Sequence, residues 1–125
     1  MFAVSAGVWA QDREAMFLAG KTIDCPGCNL TGVSLKRRNL AGADLSGANL
    51  EEASFHKANL RGANLSDTKL AYANLNRADL RLAKLQNADL TGAMLFAANA
   101  AAADFSGAKL EHALMGSVRF TRAIF

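Results

Sequence analysis

Residues 43–65 read ADLSG-ANLEE-ASFHK-ANLRG-ANL, so that a small residue and a large apolar residue recur every five positions. The same phase runs from Leu30 to Phe125 over 20 positions, of which 14 are Leu, four are Phe, one is Met and one is Ala. Two residues before each of these lies a second series of 20 positions, 15 of them Ala. A fixed short period is the sequence signature of a repeat protein. The period therefore decides the fold before any single residue does.

A period of five residues fits neither an α-helix nor a continuous β-strand. Within each unit, however, the small and the large residue are two positions apart, so both point to the same side of an extended segment. Small or polar residues such as Ser46-Gly47 and Ser66-Asp67 then follow, and these residue types favour turns. The sequence predicts an all-β solenoid in which short extended steps and corners alternate around an inner column of Ala and Leu.

Units such as Ala43-Asp44-Leu45 and Ala88-Asp89-Leu90 resemble the A-(D/N)-L-x-x consensus of the pentapeptide-repeat family, and the match covers residues 26–125. The resemblance implies a right-handed quadrilateral β-helix of about five coils, with 20 residues in each coil. At about 4.8 Å per stacked layer, the rod would be roughly 24 Å long. Recurrence of Ser46, Ser66 and Ser106 at multiples of 20 residues agrees with such a coil.

Three segments are predicted: a signal-peptide remnant over 1–10, an N-terminal cap over 11–27 and the β-helix over 28–125. Val8 and Ala10 before Gln11 have the spacing of a signal-peptidase site, and an apolar cap helix is the alternative. Export would place the protein in the periplasm or outside the cell; otherwise we expect a cytoplasmic protein. No apolar run approaches the ~20 residues needed to cross a bilayer, so no transmembrane segment is expected.

The cap segment is predicted to contain a short helix that begins with Asp12 as N-cap and ends near Leu18. Its apolar residues would cover the first coil; these are Ala15, Met16 and Leu18.

Arg38 is the one charged residue at an inner position, and it lies in the first coil. A buried guanidinium requires a partner. We expect a carboxylate of the cap segment, from Asp12, Glu14 or Asp24, in a structural clasp.

Cys25 and Cys28 lie where the cap meets the rod. A structural zinc site needs four ligands, and the thioredoxin-type motif needs a βαβ context, so neither is predicted. A disulfide and a pair of buried thiols both remain open. Some exported members of the family resemble this C-x-x-C-(D/N)-L start, and export would favour the disulfide.

The formal net charge is +3, from 14 Lys and Arg against 11 Asp and Glu, with a pI of about 9.1. The resemblance implies one alternative function, since the best-known members of the family mimic duplex DNA with an acidic surface and bind DNA gyrase. The basic balance disfavours such a topoisomerase-binding DNA mimic, which we keep as an alternative function.

A basic surface is predicted at two neighbouring corners of the rod. The first corner carries basic residues in three successive coils, and the second adds two more: Lys36, Arg37, His56, Lys57 and Arg77, then Arg61 and Arg81. Such a surface could attract phosphate, an acidic partner or an anionic membrane; a solvated charged surface is the alternative. Aromatic residues for base stacking are not interleaved, so no specific nucleic-acid recognition is expected.

The C-terminal part of the outer surface turns apolar at Phe96, Leu114 and Ile124. The inner residues of the last coil, which include Met115, Phe120 and Phe125, have no coil above them in this sequence. We expect a homodimer through this coil, because a twofold contact between two copies would cover both apolar ends.

No constellation of catalytic, cofactor-binding or metal-binding residues is recognised, since Ser and His fall on different faces. The sequence therefore predicts a non-enzymatic scaffold that uses its outer faces to bind a protein partner, which the sequence does not name. A redox-sensitive accessory protein that uses Cys25 and Cys28 is a further alternative.

Overall fold

The computed structural model describes residues 10–125, as one helix followed by a repeating rod. Helix α1 spans Ala10–Leu18. The extended steps of the rod are single-residue parallel bridges, and each bridge joins an outward residue to the residue 20 positions later, from Asn29↔Asn49 to Asp104↔Ile124. The chain thus completes one circuit in 20 residues, and successive circuits stack in parallel.

Each unit bonds to the next circuit through three backbone hydrogen bonds. Leu30 N donates to Asn49 O at 2.8 Å, Gly32 N to Glu51 O at 2.8 Å, and Asn49 N to Cys28 O at 2.9 Å. The same pattern recurs every five residues along the rod. Nearly every backbone donor of the inner circuits therefore has a partner although no long strand forms.

Each corner is a turn closed by its own hydrogen bond. Ala43 N donates to Leu40 O at 3.0 Å, and Gly42 between them has a φ of +72°. A positive φ at this position is what a type II turn requires. At 13 corners a non-glycine residue takes this conformation, for example Tyr72 at +60°. The left-handed backbone costs such a residue about 1–3 kcal/mol, and the bond from Tyr72 N to Thr91 O, at 2.9 Å, helps to hold it there.

The inner column is dry over most of the rod. Inner Leu and Phe residues from Leu30 to Phe105 are at most 2% exposed. Ala100, the one small residue of the Leu series, is also fully buried. Beside it, the rings of Phe105 and Phe120 meet edge to face with centroids 5.8 Å apart, in agreement with the compensation of volume that close packing demands.

Helix α1 begins at Ala10, so Asp12 lies inside its first turn and is not the N-cap that we predicted. The helix crosses the predicted boundary between residues 10 and 11, and the rest of the predicted signal remnant, residues 1–9, lies outside the described residues. The C-terminal end of helix α1 is a Schellman motif, in which Gly20 N donates to Phe17 O and Lys21 N to Met16 O, both at 2.9 Å.

The predicted covering residues of the helix were wrong. Phe17 is fully buried in the core, whereas Ala15 is exposed and Met16 and Leu18 are 43% and 44% exposed. The reason is the orientation of the helix, because the rod holds its C-terminal carbonyls through Arg38 and this places Phe17 against the first circuit.

Candidate interaction surfaces

The first corner of the rod is built by Cys25-Pro26-Gly27-Cys28. Gly27 has a φ of +69°, and Cys28 N donates to Cys25 O at 3.2 Å, so this corner has the geometry of all the others. The two Sγ atoms lie 2.09 Å apart in a disulfide, and both residues are buried. Cys25 N already bonds to Asp44 O at 2.9 Å. The regular bonding therefore starts at Cys25, within the segment that we assigned to the cap.

Arg38 binds the C-terminal end of helix α1 and not a carboxylate, so our prediction of its partner was wrong. Its Nη1 donates to Phe17 O at 3.0 Å and its Nη2 to Leu18 O at 2.6 Å. The guanidinium also lies 5.4 Å from the centre of the Phe17 ring. The last carbonyls of a helix have no helical partner and carry partial negative charge, so they suit a cation that is only half-buried.

Two of the three carboxylates expected beside Arg38 bind the backbone of the first circuit instead. Glu14 Oε2 accepts a hydrogen bond from Asn29 N at 2.7 Å, and Asp24 Oδ1 accepts one from Asp44 N at 2.7 Å. In later circuits the equivalent N–H groups donate to a carbonyl of the circuit below. The carboxylates thus stand in for a preceding circuit.

The first basic corner gathers around His56. Loss of solvent around the imidazole, and after it the charges of four neighbours, lower the pKa of His56; these are Lys57, Arg37, Arg77 and Lys36. Cations of three successive circuits therefore lie close enough to His56 for their charges to act on it.

The second basic corner is less uniform than the sequence suggested. Arg81 forms a two-point ion pair with Asp79, with Nε to Oδ1 at 2.8 Å and Nη2 to Oδ2 at 2.6 Å. The hydrogen bond from Arg81 is the main cause that lowers the pKa of Asp79, and the charge of Arg61 adds to it. Arg61, one circuit earlier, is exposed. Of the two predicted cations, only Arg61 is left without a carboxylate bonded to it among the described residues.

Two exposed cations on the same side were missed from the sequence. Arg119 and Arg122 lie 40 residues after Asp79 and Leu82, so the 20-residue period would have found them. We call this surface the basic side; it comprises the outward residues of 36–42, 56–62, 76–82, 96–102 and 116–122. Its cations are Lys36, Arg37, Lys57, Arg61, Arg77, Arg81, Arg119 and Arg122.

The C-terminal end of the rod is more open than its middle. The inner residues Leu110, Met115 and Phe120 are half-buried, and Phe125 is 63% exposed. The ring of Phe125 stacks on that of Phe105 with centroids 5.2 Å apart. Two outward apolar residues flank this end, Leu114 at 62% and Ile124 at 54% exposure.

Two exposed aromatic rings lie over glycines of the next circuit. A Cβ atom at Gly92 would come within 2.5 Å of the Tyr72 ring, and one at Gly116 within 3.3 Å of the Phe96 ring. Phe96 therefore has a packing partner although it is 49% exposed. The 20-residue spacing of aromatic and glycine is the signal that sequence reasoning overlooked.

Pockets and metal-binding clusters are absent from residues 10–125. That range contains no detectable pocket and no group of three or more His, Cys, Asp or Glu side chains placed to hold a metal ion. Helix α1, which is the one helix within residues 10–125, is too short and too polar to cross a membrane.

The sequence profile of Pentapeptide repeats matches residues 28–67 and 63–99, with eight copies of the repeat. The chain belongs to the pentapeptide-repeat family. The resemblance seen in its A-(D/N)-L-x-x units is therefore confirmed. No curated protein sequence matches the chain significantly.

Solved pentapeptide-repeat proteins share the fold. Rfr23 from the cyanobacterium Cyanothece 51142 is 28% identical with a TM-score of 0.56, over 94% of this chain and 99% of that one. AT2G44920 from the Arabidopsis thaliana thylakoid lumen is 27% identical with a TM-score of 0.61, over 85% and 64%. HetL of Nostoc, involved in heterocyst differentiation regulation, is 29% identical with a TM-score of 0.55, over 77% and 59%. This pentapeptide-repeat protein is thus a β-helical solenoid that spans about three fifths of the length of HetL.

Proposed function

We propose that this pentapeptide-repeat protein is a non-enzymatic scaffold that binds a protein partner through its outer faces. In this proposal the rod is a right-handed quadrilateral β-helix of about five coils, and helix α1 is its N-terminal cap. One observation supports the role above all. The inner column keeps a small residue and a large apolar residue in almost every unit, whereas an outward column changes from polar to apolar along the rod: Ser34, Ser54, Asn74, Met94 and Leu114. What varies between circuits is the surface.

A test of the scaffold role compares the sides of the rod with one another. Partners captured from the native host are identified, and capture is repeated with variants in which the outward residues of one side at a time are replaced by Ser or Asn. If the protein is a scaffold, replacement of the outward residues on one side should abolish capture of the partner while the circular dichroism spectrum stays unchanged. Capture that survives changes on every side would contradict the proposal.

We also propose that two copies meet through the C-terminal circuit, residues 106–125, to form a homodimer. The supporting observation is the exposure of Phe125, Leu114 and Ile124 beside the half-buried Met115 and Phe120; Phe96 would widen the rim of the contact. Sedimentation at micromolar concentration should then report about twice the chain mass of 13.2 kDa.

Phe120→Asp combined with Phe125→Asp should convert the dimer to a monomer, since both charges would be buried in the contact. Lys69→Asn with Lys84→Asn, at exposed positions in earlier circuits, is the control with the same change in net charge. A monomer for the unchanged chain would refute the homodimer.

The Cys25–Cys28 disulfide supports our proposal that the protein is periplasmic or secreted, because disulfides persist in oxidising compartments. Determination of the mature N-terminus tests export, and a free-thiol count under non-reducing conditions tests the disulfide. The alternative of a redox-sensitive accessory requires that reduction of this buried pair change partner binding; a cytoplasmic location would agree with two free thiols.

The charge distribution continues to disfavour a topoisomerase-binding DNA mimic. Such a mimic needs a contiguous acidic surface, whereas one whole side of this rod is basic and its single carboxylate, Asp79, is paired with Arg81.

A further inference from the structure

Positive charge is segregated on the basic side. Its eight Lys and Arg residues and its one carboxylate give a charge of +7, whereas the whole chain carries +3. The rest of the chain, inward Arg38 included, therefore carries −4. A modest net charge thus conceals a strong field over one side of the rod.

The same side presents hydrogen-bond donors and few free acceptors. The Oδ1 atoms of its Asn and Asp residues are engaged within the fold, because each accepts a backbone N–H, as Asn59 does from Arg61 at 3.0 Å and Asn76 does from Phe96 at 2.8 Å. The others are Asn39, Asp79 and Asn99. One amide of this side, that of Asn59, donates to Asn39 Oδ1 at 3.2 Å, and the amide NH₂ groups of Asn39, Asn76 and Asn99 have no acceptor among residues 10–125. A partner for this side must therefore offer negative charge and acceptor oxygens.

Two exposed apolar residues lie among these cations. Leu82, next to Arg81, is 50% exposed and has a φ of +63°, so neither solvation nor backbone conformation favours a leucine there. Phe96, one circuit after Arg77 at the same corner, is 49% exposed. Contact with an apolar phase would explain why both side chains are apolar and exposed at these positions.

We propose that the basic side docks on an anionic phospholipid membrane. Circuits that stack in register every 20 residues give a continuous side, and its cations extend over the rod from Lys36 to Arg122. Lipid headgroups offer the dispersed phosphate oxygens that match a donor-rich surface, and the acyl boundary below them accepts exposed apolar side chains. An acidic protein would need directed contacts, and single-stranded nucleic acid would need a row of stacking rings; the rings on this side are those of His56 and Phe96, which lie two circuits apart.

The test is co-sedimentation of the full chain with vesicles of phosphatidylglycerol and phosphatidylcholine, compared with vesicles of phosphatidylcholine alone. We expect binding to the anionic vesicles only, and weaker binding as salt is raised. The variant Lys57→Asn, Arg61→Asn, Arg77→Asn should bind at least tenfold more weakly, since each cation near the surface contributes about fivefold. Asparagine suits the left-handed backbone of residues 57 and 77.

A control variant changes three cations on the other sides: Lys69→Asn, Lys84→Asn and Lys109→Asn. It has the same net charge as the test variant, so a loss that depends on total charge alone would be equal in both. We expect the control variant to bind vesicles within about twofold of the unchanged chain. Circular dichroism confirms that both variants fold.

Insertion of the apolar residues is tested by fluorescence. In a Trp9→Phe background, which removes the single natural tryptophan, the emission of Phe96→Trp should shift to shorter wavelength on anionic vesicles. Gln86→Trp, at a corner that lies outside the basic side, should not shift.

Equal losses for the two triple variants, or equal binding to neutral and anionic vesicles, would overturn the proposal. So would binding to polyglutamate or duplex DNA without vesicle binding, because the side would then belong to a protein or nucleic-acid partner. The scaffold role is judged separately, by partner capture in the absence of lipid.

Discussion

The two ends of the rod differ in how the backbone N–H groups at their edges are paired. At the N-terminal end, carboxylates of Glu14 and Asp24 accept backbone N–H groups of the first circuit, and Phe17 covers its inner residues. At the C-terminal end, the N–H groups of Leu110 and Phe120 have no partner within residues 10–125.

The difference shows what the repeat specifies and what it leaves open. Every unit carries the same bonding groups, so a stack of circuits always has donors and acceptors unpaired at each end. An unpaired edge is a template for further pairing. Residues outside the repeat, here Glu14 of helix α1 and Asp24, accept two of the four edge donors of the first circuit. Within residues 10–125, the first circuit therefore has side-chain acceptors for some of its edge donors, whereas the donors of Leu110 and Phe120 have none.

The largest effect should come from the core between the ends. Leu75→Ala, in a fully buried position, should lower the free energy of unfolding by about 2–5 kcal/mol. Leu110→Ala, half-buried in the last circuit, should cost less than half as much, because water already reaches the site. Urea unfolding measures both. Equal losses would mean that the C-terminal end is covered in solution.

The next effect concerns the contact between helix and rod. Arg38→Met keeps the aliphatic part of the side chain but removes the bonds to Phe17 O and Leu18 O. We expect a loss of about 1.5–3 kcal/mol, as for hydrogen bonds from a charged donor, with earlier proteolysis of helix α1. Arg37→Met, at an exposed corner, is the matched control. A stable helix in the Arg38 variant would show that Phe17 alone holds it.

A smaller effect is expected from the carboxylate that closes the first edge. Glu14→Ala removes the acceptor of Asn29 N and should cost about 1 kcal/mol. Hydrogen exchange at Asn29 should accelerate, while exchange at Asp44, which Asp24 serves, should not change. Asp12→Ala in the same helix is the control. Unchanged exchange at Asn29 would argue against the edge-closing role of Glu14.

Acid should weaken both ends alike. Hydroxyl donors two residues further on lower the pKa of Asp44, Asp89 and Asp104, with Ser46 Oγ at 2.7 Å from Asp44 Oδ1 as an example. The folded state therefore favours the carboxylate, and this contribution is full above the unfolded pKa of about 3.9 and is lost as pH falls through the lower folded value.

The urea midpoint should thus decrease as pH falls below about 4. Replacement of the three residues by Asn keeps an acceptor oxygen without the titration and should flatten this dependence. An unchanged pH profile in that variant would assign the acid sensitivity to other groups.

Prediction from sequence succeeded where a residue's role follows from its place in the five-residue period. The inner positions and the corners follow from that count, and the grouping of Lys36, Arg37, Lys57 and Arg77 around His56 follows from the 20-residue coil that the family resemblance implied. It failed where the partner comes from outside the period. The partners of Arg38 depend on the direction of helix α1, and a nine-residue helix can dock in many directions with the same sequence.

The sequence by itself determined the solenoid, because a Leu every five residues can be buried only if the chain turns a corner after each one. It also placed the cations at neighbouring corners. The tertiary structure alone decided which charges are neutralised, as Arg81 is by Asp79, and which edge donors are satisfied, as Asn29 N is by Glu14. The physical reason is the distance along the chain over which each contact is set. Burial of the inner residues repeats with the local sequence. A hydrogen bond or an ion pair instead depends on atomic positions that are fixed only when distant segments have docked.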